Sequence, residues 1–313
     1  AGRSPMQPEG IVSTPAGFLA ALESGPFPAD SPIFPKAVLM VEPANFQVAD
    51  ESRVDNRYLD LDSAADPERA LAQSRALAAA VRACGVEVVR FPGDPEATDG
   101  VFPNNVFATT PGRLIVGRMR HPGRRREAER SDIRGYFDAH GYAVIDLSCS
   151  PFVAELTGSL VLDRSRRIGF CGMSDRVDAD GVRAMHQAFD LRLTFRFDLA
   201  PHEYHTNVVL AVLAGRACVL CAKSFADAEV PAAIAQVYPD RTLFLDEDEK
   251  NAFAGNCIAL TEKHLFMSEA GANALRPASR SIIDDWGFEL VTVPLDEIEK
   301  AGGSLRCMLA EIY

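Results

Sequence analysis

The sequence predicts an α/β fold built from five ββαβ units closed into a ring. Three observations carry that expectation. A hairpin, a helix and a short strand recur along the chain. The polar residues that open successive hairpins, Asn105, Gly158, His205, Asn256 and Cys307, stand about 47 to 53 residues apart, a spacing typical of repeat architectures. The apolar segment that ends the chain, CMLAEIY, has no hairpin partner unless it pairs with AVLMVEP near the start.

Residues 1–34 are rich in Pro, Gly, Ser and Ala, with a short amphipathic piece from Phe18 to Leu22, and read as an arm or leader. Residues 35–313 contain no linker and are expected to form one domain. Its first complete unit is VFPNNVFATT, RLIVGRM, the helical REAERSDIRGYFDAHG and then YAVIDLS. The second runs from LTGSLVLDRSRRIGFCGM through DADGVRAMHQAFD to RLTFRFD, and the third from HTNVVLAVLAGRACVLCA through DAEVPAAIAQVY to TLFLDED. The fourth is AGNCIALTEKHLFMSEAG, NALRPASRSIIDDWG and FELVTVPL. The fifth exists only if the ends join: CMLAEIY and AVLMVEP make the hairpin, and PERALAQSRALAAAVRACG and EVVRFPG complete the unit. Apolar residues at helical and strand periods support each assignment. Closing the ring removes exposed sheet edges.

Composition sets bounds on function. With 47% hydrophobic and 24% charged residues, the 313-residue chain is an ordinary globular sequence. A formal net charge of -12 disfavours nucleic acid and anionic membranes as partners. One basic run opposes that balance, RMRHPGRRREAER; it reads either as a solvated helix start with Glu127 and Glu129 as partners or as a carboxylate-binding element. Seven cysteines, an odd number, do not suggest a disulfide framework. Cys218 and Cys221 have the spacing of a redox or metal pair, but they lie inside an apolar run with no second pair at ligand spacing, which favours structural cysteines. No apolar stretch reaches membrane-spanning length and no secretory signal is visible, so a reduced, cytoplasmic setting is expected.

The hairpin-opening residues are candidates for chemistry. Polar groups at the mouths of buried strands must be desolvated and satisfied, which makes them poor choices for stability. Cys307 follows the turn Gly302-Gly303-Ser304, and His205 opens HTNVV, with His202 a rival base three residues earlier. Glu155 precedes the second hairpin. Asp99 reads as a turn residue before Gly100. Asn256 is expected to be structural, bonding backbone at the ring centre.

These residues resemble the guanidino-group-modifying, arginine deiminase or amidinotransferase-like superfamily, whose fold is a five-bladed α/β propeller, the pentein. The resemblance covers nearly everything from Ala37 to Tyr313. It rests on FPNN at Phe102 to Asn105, His205-Thr206-Asn207, Glu155 to Ser159 and a terminal RCMLAEI, and it is closest to the citrulline-utilisation hydrolases. The resemblance implies Cys307 as nucleophile, His205 as general acid-base and Glu155 as the residue that orients His205 or grips a substrate nitrogen. It also implies Asn104, Asn105 and Asn207 at the substrate, and Arg124 and Arg176 at the substrate carboxylate. No metal or organic cofactor is implied. The partner implied is a small ureido or guanidino amino acid, with homo-oligomerisation left open.

Two departures point to the substrate. Arginine deiminases hold a guanidinium between carboxylates, and this chain has Asn105 and Asn207 at the matching positions. A guanidinium stays protonated, with a pKa above about 12, and burying it without a carboxylate costs several kcal/mol. A neutral ureido group instead needs donors at its carbonyl, which an amide supplies. The expectation is hydrolysis of a ureido amino acid, L-citrulline first, to ornithine, ammonia and carbon dioxide through a carbamoyl-cysteine. Arginine deiminase, dimethylarginine or succinylarginine hydrolase and amidinotransferase activities are the alternatives within that chemistry. A non-catalytic pentein binding module is the alternative of a different class, against which Cys307 and His205 stand together.

Overall fold

The structure, a computed structural model, describes residues 10–62 and 64–313. Five sheets share one plan: an antiparallel hairpin whose second strand takes a third, parallel strand after a helical crossover. In chain order the first three begin with the sheet of Ala310–Ile312, Ala37–Val41 and Glu87–Phe91. Next come Phe107–Thr110, Arg113–Val116 and Ala143–Asp146, then Leu160–Asp163, Ile168–Met173 and Leu193–Asp198. The last two are Leu210–Leu213, Ala217–Leu220 and Thr242–Phe244, and Ile258–Ala259, His264–Ser268 and Glu289–Val293. The two ends of the chain pair in the first of these sheets, with Ala310 opposite Leu39 and Ile312 opposite Ala37.

The core lies between the sheets, and strand alternation places it there. Every residue of Ala37–Val41 is buried. Side chains along a strand point alternately to its two faces. Accordingly Ala37, Leu39 and Val41 pack with Phe107, Leu114 and Val116 of the next sheet. Val38 and Met40 pack on the other side with Phe266 and Val293 of the last sheet. Ala108 and Ile115 meet Leu160 and Cys171. Phe170 and Phe195 meet Leu210, Cys218 and Leu220. Val219 and Leu243 meet Leu265 and Met267. Each apolar cluster thus joins one sheet to the next, and the five make a closed circuit. Cys218 and Cys221 belong to different clusters, on opposite sides of their sheet.

Helices cover the outer strands and are stopped by ordinary end chemistry. The helix Pro67–Ala83 starts at Asp66, whose carboxylate accepts the N–H groups of Glu68 and Arg69, with Pro67 in the first turn. It ends before Gly85, where φ is +85°. Leu77, Ala78 and Val81 are its buried face.

Residues 1–9 lie outside the described residues, but the remainder of the expected arm docks on the fold. Ile11–Val12 adds in parallel to Leu193–Asp198, and the helix Pro15–Ser24 buries Phe18 completely. The Phe18 ring stacks on Phe195 at 4.5 Å between centroids and meets the edge of Phe170 at 5.9 Å. Phe18→Ala is expected to lower stability by about 3–5 kcal/mol, because the docked segment leaves a cavity where an aromatic ring was. Urea unfolding of the variant checks this; a loss below about 1 kcal/mol would mean the arm detaches without consequence for the core.

Candidate active site

The hairpins do not open directly as strands. Pro103–Asn105, Leu156–Ser159, Thr206–Val209 and Leu305–Met308 are single helical turns, and Asn256 closes a turn from Phe253. Five equivalent backbone bonds define them: Val106 N–H to Pro103, Gly158 to Glu155, Val208 to His205, Asn256 to Phe253 and Cys307 to Ser304. This corrects the expectation of polar strand mouths, and the reason is geometric. A strand would send alternate residues to opposite faces, whereas one helical turn directs neighbouring residues inward. The turn Leu156–Ser159 packs between Pro103–Asn105 and Thr206–Val209, and Pro103–Asn105 also meets Leu305–Met308.

At the centre, two side-chain amides approach the Cys307 sulfur. Asn256 Nδ2 is 3.4 Å from Sγ, and Asn207 presents Nδ2 at 3.6 Å and Oδ1 at 3.8 Å. Cys307 is buried. Burial pushes its thiol up; a backbone hydrogen bond at Ser304, the Asn256 amide, Arg306 and the Asn207 amide pull it back only in part. The turn ahead of Cys307 is held from outside: the Gly302 carbonyl accepts the Tyr204 hydroxyl and, at 3.3 Å, Asn56 Nδ2. Gly302 has φ +83°, and a Cβ there would lie 2.3 Å from Asn56 Nδ2, so this position requires glycine.

The second group is a chain of charges ending in His205. His205 Nε2 lies 2.7 Å from Glu155 Oε1. Arg176 Nη1 donates to the same oxygen at 3.1 Å, and the Arg120 backbone N–H donates to Oε2 at 2.8 Å. Burial works against charge on Glu155, but Arg176, His205 and Arg124 outweigh it and hold the carboxyl far below the usual carboxylate range. Burial also pushes the His205 imidazole down, and its bond to Glu155 recovers only part of the shift. The pair is therefore an ionised Glu155 and a neutral His205, with Arg176 balancing the carboxylate. Since a carboxylate only accepts, Nε2 carries the proton and Nδ1 keeps its lone pair. His205 Nδ1 is buried and has no hydrogen-bond partner.

Other buried polar atoms share that condition nearby. Asn105 Oδ1 and both polar ends of Asn104 are without partners. Gly158 brings Asn105 and His205 together: a Cβ on it would lie 2.3 Å from Asn105 Oδ1 and 2.9 Å from His205 Nδ1. Buried polar groups normally find partners, so unpaired atoms clustered beside a buried thiol mark groups reserved for a ligand. The arrangement brings a thiol, a neutral imidazole base and side-chain amides together on turns that pack against one another.

The remaining sequence candidates take other positions. Arg124 is buried and spends Nε and Nη2 on Glu127, both at 2.9 Å, and Nη2 also on the Phe102 carbonyl at 2.8 Å. It braces the segment that carries Asn104 and Asn105 instead of offering its fork to a substrate carboxylate. Arg176 engages Asp55 through Nε at 2.5 Å and Nη2 at 2.9 Å, besides Glu155. Its guanidinium also lies over the Tyr204 ring at 5.0 Å. His202 is exposed, at φ +71°, outside this group. Elsewhere in the basic run, Arg126 pairs with Asp94 and Glu96, and Arg130 with Asp132.

The family model described as N,N dimethylarginine dimethylhydrolase, eukaryotic, matches residues 42–313. The chain belongs to this family. The dimethylarginine dimethylhydrolase family is one of pentein hydrolases within the guanidino-group-modifying superfamily, as the motifs imply. Among curated relatives is AgrE of Nostoc sp., a bifunctional arginine dihydrolase/ornithine cyclodeaminase. It is 24% identical over 215 residues, 68% of this chain and 29% of AgrE. ArgZ of Synechocystis sp., also a bifunctional arginine dihydrolase/ornithine cyclodeaminase, is 21% identical over 248 residues, 78% of this chain and 33% of ArgZ. The chain spans about a third of the length of these two relatives. The substrate-bound N-terminal domain of ArgZ superposes with a TM-score of 0.77 at 21% identity, covering 88% of this chain and 97% of that domain. DDAH from Pseudomonas aeruginosa in complex with citrulline gives 0.70 at 23% identity, covering 89% and 100%. At these identities the likeness is one of α/β fold.

Within this member of the dimethylarginine dimethylhydrolase family, three contributors escape motif reading. Asp55 supplies the second carboxylate on Arg176 and lies 3.1 Å from His121 Nε2. Arg176 and His121 hold its carboxyl low against the opposing effect of burial. Its surroundings, ESRVDNRYLD, look like any polar loop. Asp99, read as a turn residue, is buried and close enough for its charge to act on Arg124 and Tyr204. Asn256 touches the sulfur itself. Its position at the fourth hairpin, in register with His205 and Cys307, was the available signal. Among the described residues no helix is long and apolar enough to cross a membrane, and no group of His, Cys, Asp and Glu forms a metal cluster.

Proposed function

We propose that the chain is a cysteine-dependent hydrolase of a neutral ureido amino acid, L-citrulline first, acting from one catalytic domain, residues 35–313, on a five-bladed α/β propeller. The observation that carries this reading is the neutrality of the groups around the thiol: Asn207 and Asn256 at the sulfur, and Asn105 beside His205. Glu155, the carboxylate bonded to His205, is already balanced by Arg176. A buried guanidinium cation would find no uncompensated anion in this set, whereas a ureido carbonyl finds amide donors.

Cys307 attacks the ureido carbon, and His205 accepts a proton through Nδ1 and returns it to the departing ornithine amine. The carbamoyl-cysteine then takes a water activated by His205, which releases carbamate and from it ammonia and carbon dioxide. Asn105 and Asn207 hold the ureido group and the developing oxyanion, and Glu155 fixes the His205 ring. Asn104 adds further amide contacts to the bound substrate. Arg176 and Arg124 act by position, the first on Glu155 and the second on the Asn104–Asn105 segment.

One observation favours a second reading. Asp99 is a buried acid in the segment that leads to Asn104 and Asn105, and a guanidino substrate such as arginine or dimethylarginine would pair with it. Ornithine and ammonia release from L-citrulline, set against citrulline formation with ammonia from L-arginine and with dimethylamine from dimethylarginine, separates the two. Citrulline turnover at least about 100-fold above the others is expected, since an unpaired buried cation costs several kcal/mol. Turnover of the guanidino substrates instead would overturn the neutral-substrate reading and leave Cys307 in place.

A further inference from the structure

We infer that Asn256 is the fixed hydrogen-bond donor to the nucleophile, holding the Cys307 sulfur in place and favouring its ionised form, so that Asn207 is left to the substrate. This rests on Cys307 being the nucleophile.

The orientation of Asn256 is locked, and that of Asn207 is not. Asn256 is fully buried, and its Oδ1 accepts the Arg306 N–H at 3.1 Å. Its Nδ2 gives one proton to the Asn207 carbonyl at 2.9 Å and faces Cys307 Sγ at 3.4 Å with the other. Turning the amide over would set carbonyl against carbonyl at Asn207 and amide against amide at Arg306. The sulfur therefore always meets an N–H on this side. Asn207 instead presents both ends of its amide to the sulfur, at 3.6 Å and 3.8 Å, and nothing in its contacts decides between them. A preorganised donor costs no rearrangement when charge appears on the atom it faces, whereas a donor that must first turn does.

Asn256 also couples the turn that carries His205 and Asn207 to the turn that carries Cys307. Its amide bridges residues 207 and 306 from the hairpin that lies between them in the chain. Among the described residues, Arg306 on its own turn acts by its charge on Cys307, and Cys307 acts in turn on Tyr204, ahead of His205. The Arg306 guanidinium is itself directed to Glu311 at 2.7 Å and to the Leu309 carbonyl at 2.9 Å. The amides are thus the direct side-chain donors to the sulfur. Burial raises the thiol, and Asn256 is the largest side-chain influence opposing it.

The test is alkylation of Cys307 by iodoacetamide across pH, read by peptide mass because the chain has seven cysteines. It is run on the full chain and on Asn256→Asp and Asn256→Ser. Asn256→Asp keeps the shape and the acceptor for Arg306 and removes both donated bonds. The titration midpoint of Cys307 is expected to rise by about one unit or more in both variants, leaving about 10- to 100-fold less thiolate at pH 7. Folded variants with lost turnover and an unchanged midpoint would overturn the inference and reduce Asn256 to packing. Should neither variant fold, the wild type decides: the Asn256 side-chain amide protons must shift in NMR spectra as Cys307 titrates, and unmoved signals would overturn it equally. No substrate takes part, so an error in the substrate leaves this result intact. Failure of the nucleophile reading shows separately, as turnover that survives in Cys307→Ala.

Discussion

Cys307→Ala is expected to lower ornithine release from L-citrulline by about 10⁴- to 10⁶-fold while the protein stays folded, as removal of a nucleophile does in enzymes with a covalent intermediate. Two features make the variant a clean one. Alanine keeps the backbone of the turn Leu305–Met308, which is held by Ser304, Asn256 and the contacts at Gly302, none of which uses the sulfur. The lost atom also leaves Asn256 bonded to the Asn207 carbonyl, so only the sulfur-facing protons lose an acceptor. The cost in stability is expected to stay near about 1 kcal/mol, read by urea unfolding. Wild-type protein quenched during turnover should carry a carbamoyl group on the peptide that contains Cys307, and the variant none. Retained turnover, or a carbamoyl group on another residue, would remove Cys307 from the mechanism.

Cys307 stands out in the sequence because its surroundings are local: a glycine turn, a cysteine and a terminal apolar strand follow one another in a dozen residues. The pairing of that strand with Ala37–Val41 was legible for a different reason, since the repeat left one hairpin incomplete and only the other end of the chain could finish it. The repeat marked Gly158 and His205 as equivalent openings, with Glu155 three residues ahead of the first, and the fold brings the Glu155 and His205 side chains to 2.7 Å. The helical character of the turns was not legible. HTNVV and LTGSL have the apolar and β-branched content of strand starts, and burial at the centre overrides that propensity. Asp55 was hidden for a stronger reason. Its partner Arg176 is 121 residues away, and a surface-like sequence gives no sign of a carboxylate about to be buried against a guanidinium. The segment around it is secured by contacts equally remote in sequence: the Tyr58 hydroxyl donates to Glu203, which also takes Lys250 Nζ at 2.8 Å. Arg124 shows the converse. Its carboxylate partner is three residues on in the same basic run, so the sequence held both a binding and a packing reading, and only the observed bonds to Glu127 and Phe102 assign its fork.

Glu155→Gln is expected to cost about 10²- to 10⁴-fold in kcat with a smaller change in KM, and to move the acid limb of kcat/KM to lower pH. The carboxylate holds the proton on His205 Nε2 and so keeps the lone pair on Nδ1, the nitrogen that faces Asn105 and Gly158. A glutamine can turn either its carbonyl or its amide toward Nε2, and the amide would place the lone pair there instead, in the wrong tautomer for proton transfer. The shift of the limb follows from charge. Burial already pushes the imidazole below its ordinary value of 6.5, and Glu155 is what opposes that. Without the carboxylate the imidazolium loses its counter-charge and His205 protonates only at a still lower pH. Stability carries a matching signature. The folded Glu155 carboxyl lies below its ordinary value of 4.5, so its ionisation stabilises the fold above that pH and the contribution is lost as pH falls through the folded value. Glu155→Gln therefore removes one source of acid lability below pH 4.5, while the neutral, buried His205 keeps its own, present as soon as the unfolded chain begins to bind a proton below 6.5. Arg176 retains Asp55, so the variant does not strand a buried cation and is expected to fold. Kinetics of the variant across pH 5 to 9 decide the point. A fall in kcat with an unmoved acid limb would make Glu155 a packing residue that happens to touch His205, and an unchanged kcat would mean that another group sets the tautomer.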